Sequence, residues 1–193
     1  MTPVVAASST ALPSAPTELT TGTTNTGTPF ANAHRGTYIC WGAHIHLPAQ
    51  CMDLKCDKFR GNQTIYVWSS LSGHGLGWNI SLQGNVTSTW PFTVGSLNTK
   101  YRGDAVASFE KTTGVGHHGC IGVNPNASLA WEPCGRADTY WVISKYGYLV
   151  NVSHSDSVGA PAAASVCDAR NGGSIGLGVE NKPHQCLGPW TLL

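Results

Sequence analysis

The sequence predicts an all-β fold made by using one unit three times, and three observations carry that expectation. Short apolar runs such as Thr64-Ile65-Tyr66-Val67-Trp68 and Tyr140-Trp141-Val142-Ile143 are separated by Gly, Asn, Ser and Pro, the texture of strands joined by turns. No stretch holds apolar residues at helical spacing for three turns between a start and a stop signal, so little or no helix is expected. The third observation is self-similarity. Trp68 is followed ten positions later by Trp78 and then by Gly84 and Val86, while Trp131 is followed ten positions later by Trp141 and then by Gly147 and Leu149; one offset of 63 relates all four landmarks.

Taken in chain order, residues 1–34 stand apart. Thr, Ser, Ala, Pro and Gly make up 24 of the 34, and Glu18 is the only ionisable side chain before His34. Such a segment cannot bury enough apolar surface to offset its ordering entropy, so it is expected to be a flexible arm or linker. Its anchors on any partner would be Val4, Val5, Leu12, Leu19 and Phe30, spaced along an extended backbone that could add to a sheet edge or lie in a cleft. The domain is placed at residues 35–193. It opens with an entry strand, Gln50-Cys51-Met52-Asp53-Leu54, which is matched in the second unit by Gly119-Cys120-Ile121-Gly122-Val123. A third, weaker unit runs through a strand at Tyr148-Leu149-Val150-Asn151-Val152, another at Ala164-Ser165-Val166, and a final Pro189-Trp190-Thr191-Leu192 that parallels Gly77-Trp78-Asn79-Ile80. Trp78, Trp141 and Trp190 are expected to share one core. Residues 91–115 and 168–189 lengthen the paths between units and are read as long loops, where binding surfaces usually sit.

Three copies of an entry strand, a tryptophan-bearing strand and a Trp-x-apolar strand resemble the ricin-type β-trefoil family over residues 35–193. Cys51-Met52-Asp53-Leu54 and Val67-Trp68 fit its pattern, as do Cys120, Ala130-Trp131 and Cys134; the Gln-x-Trp element is absent, since Leu76, Thr139 and Gly188 stand two before the tryptophans. The resemblance implies a single β-trefoil with three pseudo-repeats behind the flexible arm. It also implies a sugar site made from the Asp of Cys-x-Asp, the Trp of the second strand and an Asn before the third. Carried over, the first copy offers Asp53 and Trp68, with Gly75 at the Asn position and His74 beside it as a substitute. The second offers Trp131 and Asp138, with Gly122 in place of the entry Asp, and the third has Asn151 but no matching Trp. The competing roles are a turn cap for Asp53 and a core position for Trp68. The resemblance further implies a Cys120–Cys134 disulfide. Cys167 with Cys186 would staple the last long segment, and Cys40 could pair with Cys51 or with Cys56, which spacing alone leaves open.

Composition bounds the function. Charged residues are 11% of the chain, with 11 basic against 10 acidic, so no broad positive field exists for nucleic acid. No apolar run approaches the roughly 18 residues of a membrane-spanning helix, and membrane insertion is not expected. Seven cysteines in so lightly charged a chain point to a secreted, extracellular protein. The N-terminal residues lack the basic start and apolar run of a signal peptide, and read as a mature sequence with an added Met1. His44-Ile45-His46 and His117-His118 are the histidine clusters, but no Cys-x-x-Cys or His-Glu-x-x-His accompanies them, so neither metal nor cofactor is expected. Arg102-Gly103-Asp104 matches an adhesion tripeptide that three residues reproduce easily by chance. No Gly-x-Ser-x-Gly or phosphate-cradling loop occurs, so no enzyme is expected. The sequence therefore reads as a secreted, non-catalytic, carbohydrate-binding module that recognises a cell-surface glycan. The alternative is an adaptor subunit of a secreted, toxin-like assembly, with the arm inserted into a partner protein.

Overall fold

The computed structural model describes residues 36–42, 49–54, 63–69, 77–112, 116, 118–167, 172–180 and 188–193. In chain order these form β1 (Ile39–Trp41), β2 (Gln50–Leu54), β3 (Gln63–Ser69), β4 (Asn79–Asn85), α1 (Gly95–Lys100), β5 (Ala105–Thr112), β6 (His118–Val123), β7 (Leu129–Glu132), a 3-10 turn (Ala137–Thr139), β8 (Trp141–Ile143), β9 (Leu149–Asn151), α2 (Val152–Val158), β10 (Ala162–Ser165), β11 (Gly173–Ser174), β12 (Gly176–Val179) and β13 (Trp190–Leu192). The regular structure of the described residues is thus mostly strand, with two helices of six and seven residues.

Strand pairing has a recurrent form. β1 is flanked antiparallel by β2 and β13, β5 by β4 and β6, and β9 by β8 and β10. Each middle strand then leads outward through β2–β3, β6–β7 and β10–β12. β3 pairs with β7, β11 pairs with β3, and a bridge between Ser128 and Gly176 closes the remaining gap. No single hairpin could hide its apolar face in water, so these strands are stable only as one curved sheet around a common core.

Three tryptophans fill that core. Trp78, Trp141 and Trp190 are all buried and belong to one apolar cluster with Met52, Ile121 and Ala164. Each indole N–H would be costly to bury unpaired, and each donates to one backbone carbonyl: Trp78 to Met52 at 2.9 Å, Trp141 to Ile121 at 2.8 Å, and Trp190 to Ala164 at 3.0 Å. A second cluster, with Val86, Phe92, Tyr101, Val106 and Val150, lies on the other face of β5 and β9.

Three sequence expectations change here. Residues 91–115 are not simply a loop, because they contain α1 and the eight-residue β5. Ala107 and Phe109 of β5 enter the central cluster and Val106 enters the second, so the strand is buried from both sides. Residues 168–189 likewise hold β11 and β12 among their described part. The strand expected through Val152 stops at Asn151, whose side chain accepts from the His154 N–H at 2.9 Å and caps α2; Gly159, in the left-handed region at φ 67°, ends that helix.

Candidate functional site

Asp53, proposed from sequence as a sugar acceptor, is only 2% exposed. It sits on β2 directly opposite Tyr66. Its carboxylate accepts from the Leu54 N–H at 2.8 Å and pairs with the Lys111 ammonium, which β5 delivers over the Trp78 ring. Both contacts fall on Oδ1, and the side chain is only 3% exposed, so the structure gives Asp53 the role of a buried, paired group and not that of an open ligand acceptor. Trp68, opposite Cys51, is half-buried and packs against Cys40, Cys51 and Ala49. His74 lies outside the described residues.

Trp131 requires the same correction. It is fully buried, because β6 places Gly119 directly beneath the indole, where a Cβ would overlap the ring. It presents no face to a ligand.

Asp138 has a different setting. The 3-10 turn that follows Gly135 brings it to the edge of a cleft of about 240 Å³, lined by Asn124, Arg136, Asn151, Ser153 and His154 and by the apolar Val123 and Pro125. Arg136 Nε donates to Asp138 Oδ1 at 3.1 Å, and the other side of the guanidinium lies 3.5 Å from Glu132 Oε2. Asn151 is buried and holds the far wall: its Nδ2 donates to the Asp138 carbonyl at 2.8 Å, and its Oδ1 caps α2, which brings His154 to the opening. The cleft is therefore a polar pocket at the junction of β6, the 3-10 turn and α2.

Sequence reasoning missed Glu132, Arg136 and His154. Gly122 held the signal. A Cβ at Gly122 would stand 2.8 Å from Glu132 Cγ and 3.3 Å from Thr139 Cγ2, so the missing entry Asp leaves room for Glu132 to fold in from β7. Burial holds the Glu132 carboxyl above its ordinary range; Arg136 opposes that shift and the charge of Asp138 adds to it.

Other candidates resolve plainly. Cys40–Cys51 and Cys120–Cys134 are disulfides, so β1 is tied to β2 and β6 to the turn after β7. Cys167 is also disulfide-bonded, whereas Cys56 and Cys186 lie outside the described residues. Glu110 approaches Cys120 and Cys134 closely enough for a metal and His118 Nε2 is 3.4 Å from its carboxylate, but disulfide sulfurs are not thiolates and do not supply that ligand set. Asp104 of the adhesion tripeptide is buried and accepts from the Lys145 N–H at 3.3 Å, so it cannot reach an external cation. His44, His46 and His117 lie outside the described residues, as do the arm positions Val4, Val5, Leu12, Leu19 and Phe30.

No protein-family model matches the chain, and no curated protein matches it. Among solved structures, it is similar to the β-trefoil lectin of the Vibrio vulnificus hemolysin/cytolysin, which was solved with N-acetyl-D-lactosamine bound. The TM-score is 0.52 at 14% identity, over 82% of this chain and 93% of that one. It is also similar to ThreeFoil, a designed three-fold symmetric protein, with a TM-score of 0.51 at 15% identity over 82% of this chain and 98% of that one. At such identities the likeness concerns the fold, and the fold is a β-trefoil.

Proposed function

We propose that the chain is a secreted, non-catalytic carbohydrate-recognition module, built of three pseudo-repeats, whose sugar site is the cleft fronted by Asp138. One observation carries this reading: the acceptor carboxylate nominated by the sequence opens onto a pocket that also gathers a guanidinium, an imidazole and serine hydroxyls. A sugar hydroxyl is both donor and acceptor. Asp138 accepts from one hydroxyl, Arg136 donates to the next, and Val123 with Pro125 covers part of the ring's C–H surface. The lectin among the similar structures, with its bound disaccharide, supports a saccharide over other polar ligands. Two disulfides support an oxidising, extracellular setting.

Glycan-array screening of the full chain, followed by calorimetry on the best ligand, tests the proposal. Asp138→Ala should weaken binding by roughly 10- to 100-fold, the loss expected for a hydrogen bond to a charged group of about 1.5–3 kcal/mol. Equal affinity in Asp138→Ala, or no glycan retained at all, refutes it.

A second reading is favoured by the closure of Asp53 and the burial of Trp131. In it the inherited sugar positions have eroded, and residues 1–34 seat the chain in a protein partner of a secreted assembly. A protein captured from the producing organism's medium by the full chain, and lost on deletion of residues 1–34, would establish that reading.

A further inference from the structure

The segment between β4 and β5 builds something that the cleft does not use. Trp90 is 37% exposed, against tryptophans 78, 131, 141 and 190, which are buried. Its indole is held edge-on by Tyr140, with ring centroids 5.7 Å apart at 73°. The backbone around it is pinned at three points. Thr87 Oγ1 accepts from the Trp90 N–H at 3.2 Å. The buried Asn98 amide accepts from the Phe92 N–H at 3.1 Å and donates to the Phe92 carbonyl at 2.7 Å. Asp156, reaching from α2, accepts from the N–H groups of Thr93 at 3.0 Å and Val94 at 3.1 Å. A segment held by so many side-chain contacts is preorganised, and what it preorganises is a partly exposed indole.

The surroundings say what fits. No residue from Gly77 to Thr99 is charged, and the exposed neighbours Ser88, Thr89 and Thr93 carry hydroxyls. The one charge brought against the segment by those contacts is the Asp156 carboxylate, already taken by the Thr93 and Val94 N–H groups, so they supply no cation for a phosphate or an acidic peptide. A neutral ring with an apolar C–H face and a polar rim matches both the electron-rich indole face and its hydroxyl border. Asp156 meets the Trp90 segment while Ser153, His154 and Ser157 line the cleft, so α2 stands between the two places.

We propose that Trp90 is a second saccharide subsite, which stacks a neutral pyranose ring independently of the cleft. The proposal rests on the carbohydrate reading but not on Asp138. Its consequence is bivalence: a polysaccharide presenting many rings should be held through both sites, with an avidity that neither site gives alone.

The test measures retention of the full chain on the insoluble neutral polysaccharide selected by array screening, with wild type, Trp90→Ala, Trp90→Tyr and Asp138→Ala compared at equal concentration and with matched thermal melts. Trp90→Ala should lose about 10-fold or more in retention, Trp90→Tyr should recover most of it, and protection of a tryptophan from N-bromosuccinimide by soluble oligosaccharide should vanish in Trp90→Ala alone. Unchanged retention in Trp90→Ala while Asp138→Ala loses it overturns the subsite and leaves the cleft standing. Retention by no variant and not by wild type overturns both. Loss of binding to a protein, with saccharide binding intact in Trp90→Ala, also overturns the proposal, since it would make Trp90 a protein contact.

Discussion

Substituting Lys111 by Met separates a structural Asp53 from a ligand-binding one. The Met side chain keeps most of the alkyl volume and removes the ammonium that pairs with Asp53 and lies 5.0 Å from the Trp78 ring centroid. Asp53 and Lys111 side chains are only 3% and 11% exposed, so solvent cannot replace the lost partner. Breaking a buried pair from one side costs about 3–5 kcal/mol, against a total stability of roughly 5–15 kcal/mol for a typical domain. In a chain of this size the melting temperature should fall by roughly 6–20 °C. Thermal unfolding followed by near-ultraviolet circular dichroism reads that shift, with glycan binding measured well below the transition. Asp53→Asn should also destabilise the fold while leaving glycan affinity within about twofold. A loss below ~1 kcal/mol in Lys111→Met, the worth of an exposed pair, would refute the argument. So would an Asp53→Asn protein that melts normally and no longer binds glycan.

Other expectations follow from the same geometry. Trp141→Phe strands the Ile121 carbonyl, now bonded at 2.8 Å, and opens a small cavity; a loss of about 2–4 kcal/mol in chemical denaturation is expected, with similar losses for Trp78→Phe and Trp190→Phe. Gly119→Ala forces a methyl against the Trp131 indole and should cost about 1–3 kcal/mol or more, with a red-shifted tryptophan emission as the ring is displaced. Burial raises the Asp104 carboxyl above its ordinary 3.8, with the Lys145 N–H and charge only partly opposing it. The native state therefore holds that proton more tightly than the unfolded chain, and its contribution to stability declines as pH rises from 3.8 through the folded-state value. Asp104→Asn should remove that decline, which melts taken from pH 3.5 to 7 would detect.

The fold was legible because its signal is redundant. Of the landmarks at the offset of 63, Trp78 and Trp141 play the same part, donating to Met52 and Ile121, whereas Trp68 and Trp131 do not: Trp68 stands opposite Cys51 and Trp131 opposite Ile121, one residue past the matching Cys120. The site was less legible because it depends on which side of a strand is covered. Asp53 and Trp131 carry the right chemistry in sequence, yet a cation from β5 and a glycine from β6 remove them from the surface. Asp138 could be read because it lies in a turn at the cleft edge, where its side chain stays partly exposed. Glu132 and Arg136 could not, because their roles follow from a missing side chain at Gly122 and a contact across a turn. The helix α2 escaped the apolar periodicity because it is only seven residues long and is set by its caps, Asn151 and Gly159, rather than by an apolar stripe.

The three indole hydrogen bonds also bear on why the proposed cleft lies at one junction. The residue after each accepting carbonyl is Asp53, Gly122 or Ser165, so these are equivalent places on β2, β6 and β10. At the first, a carboxylate is present but neutralised internally by Lys111. At the third, a serine supplies no charge. At the second, the empty position lets Glu132 fold in and hold Arg136 from behind, while Asp138 takes the same guanidinium from the front. The result is a fixed donor and a fixed acceptor side by side at a cleft mouth. Among the described residues, only the second junction is followed by a helix as long as α2, and that helix supplies the cleft's opposite wall. The proposed site therefore falls at the junction where glycine, not aspartate, stands after the accepting carbonyl, because there the neighbouring strand and helix have room to supply the polar groups.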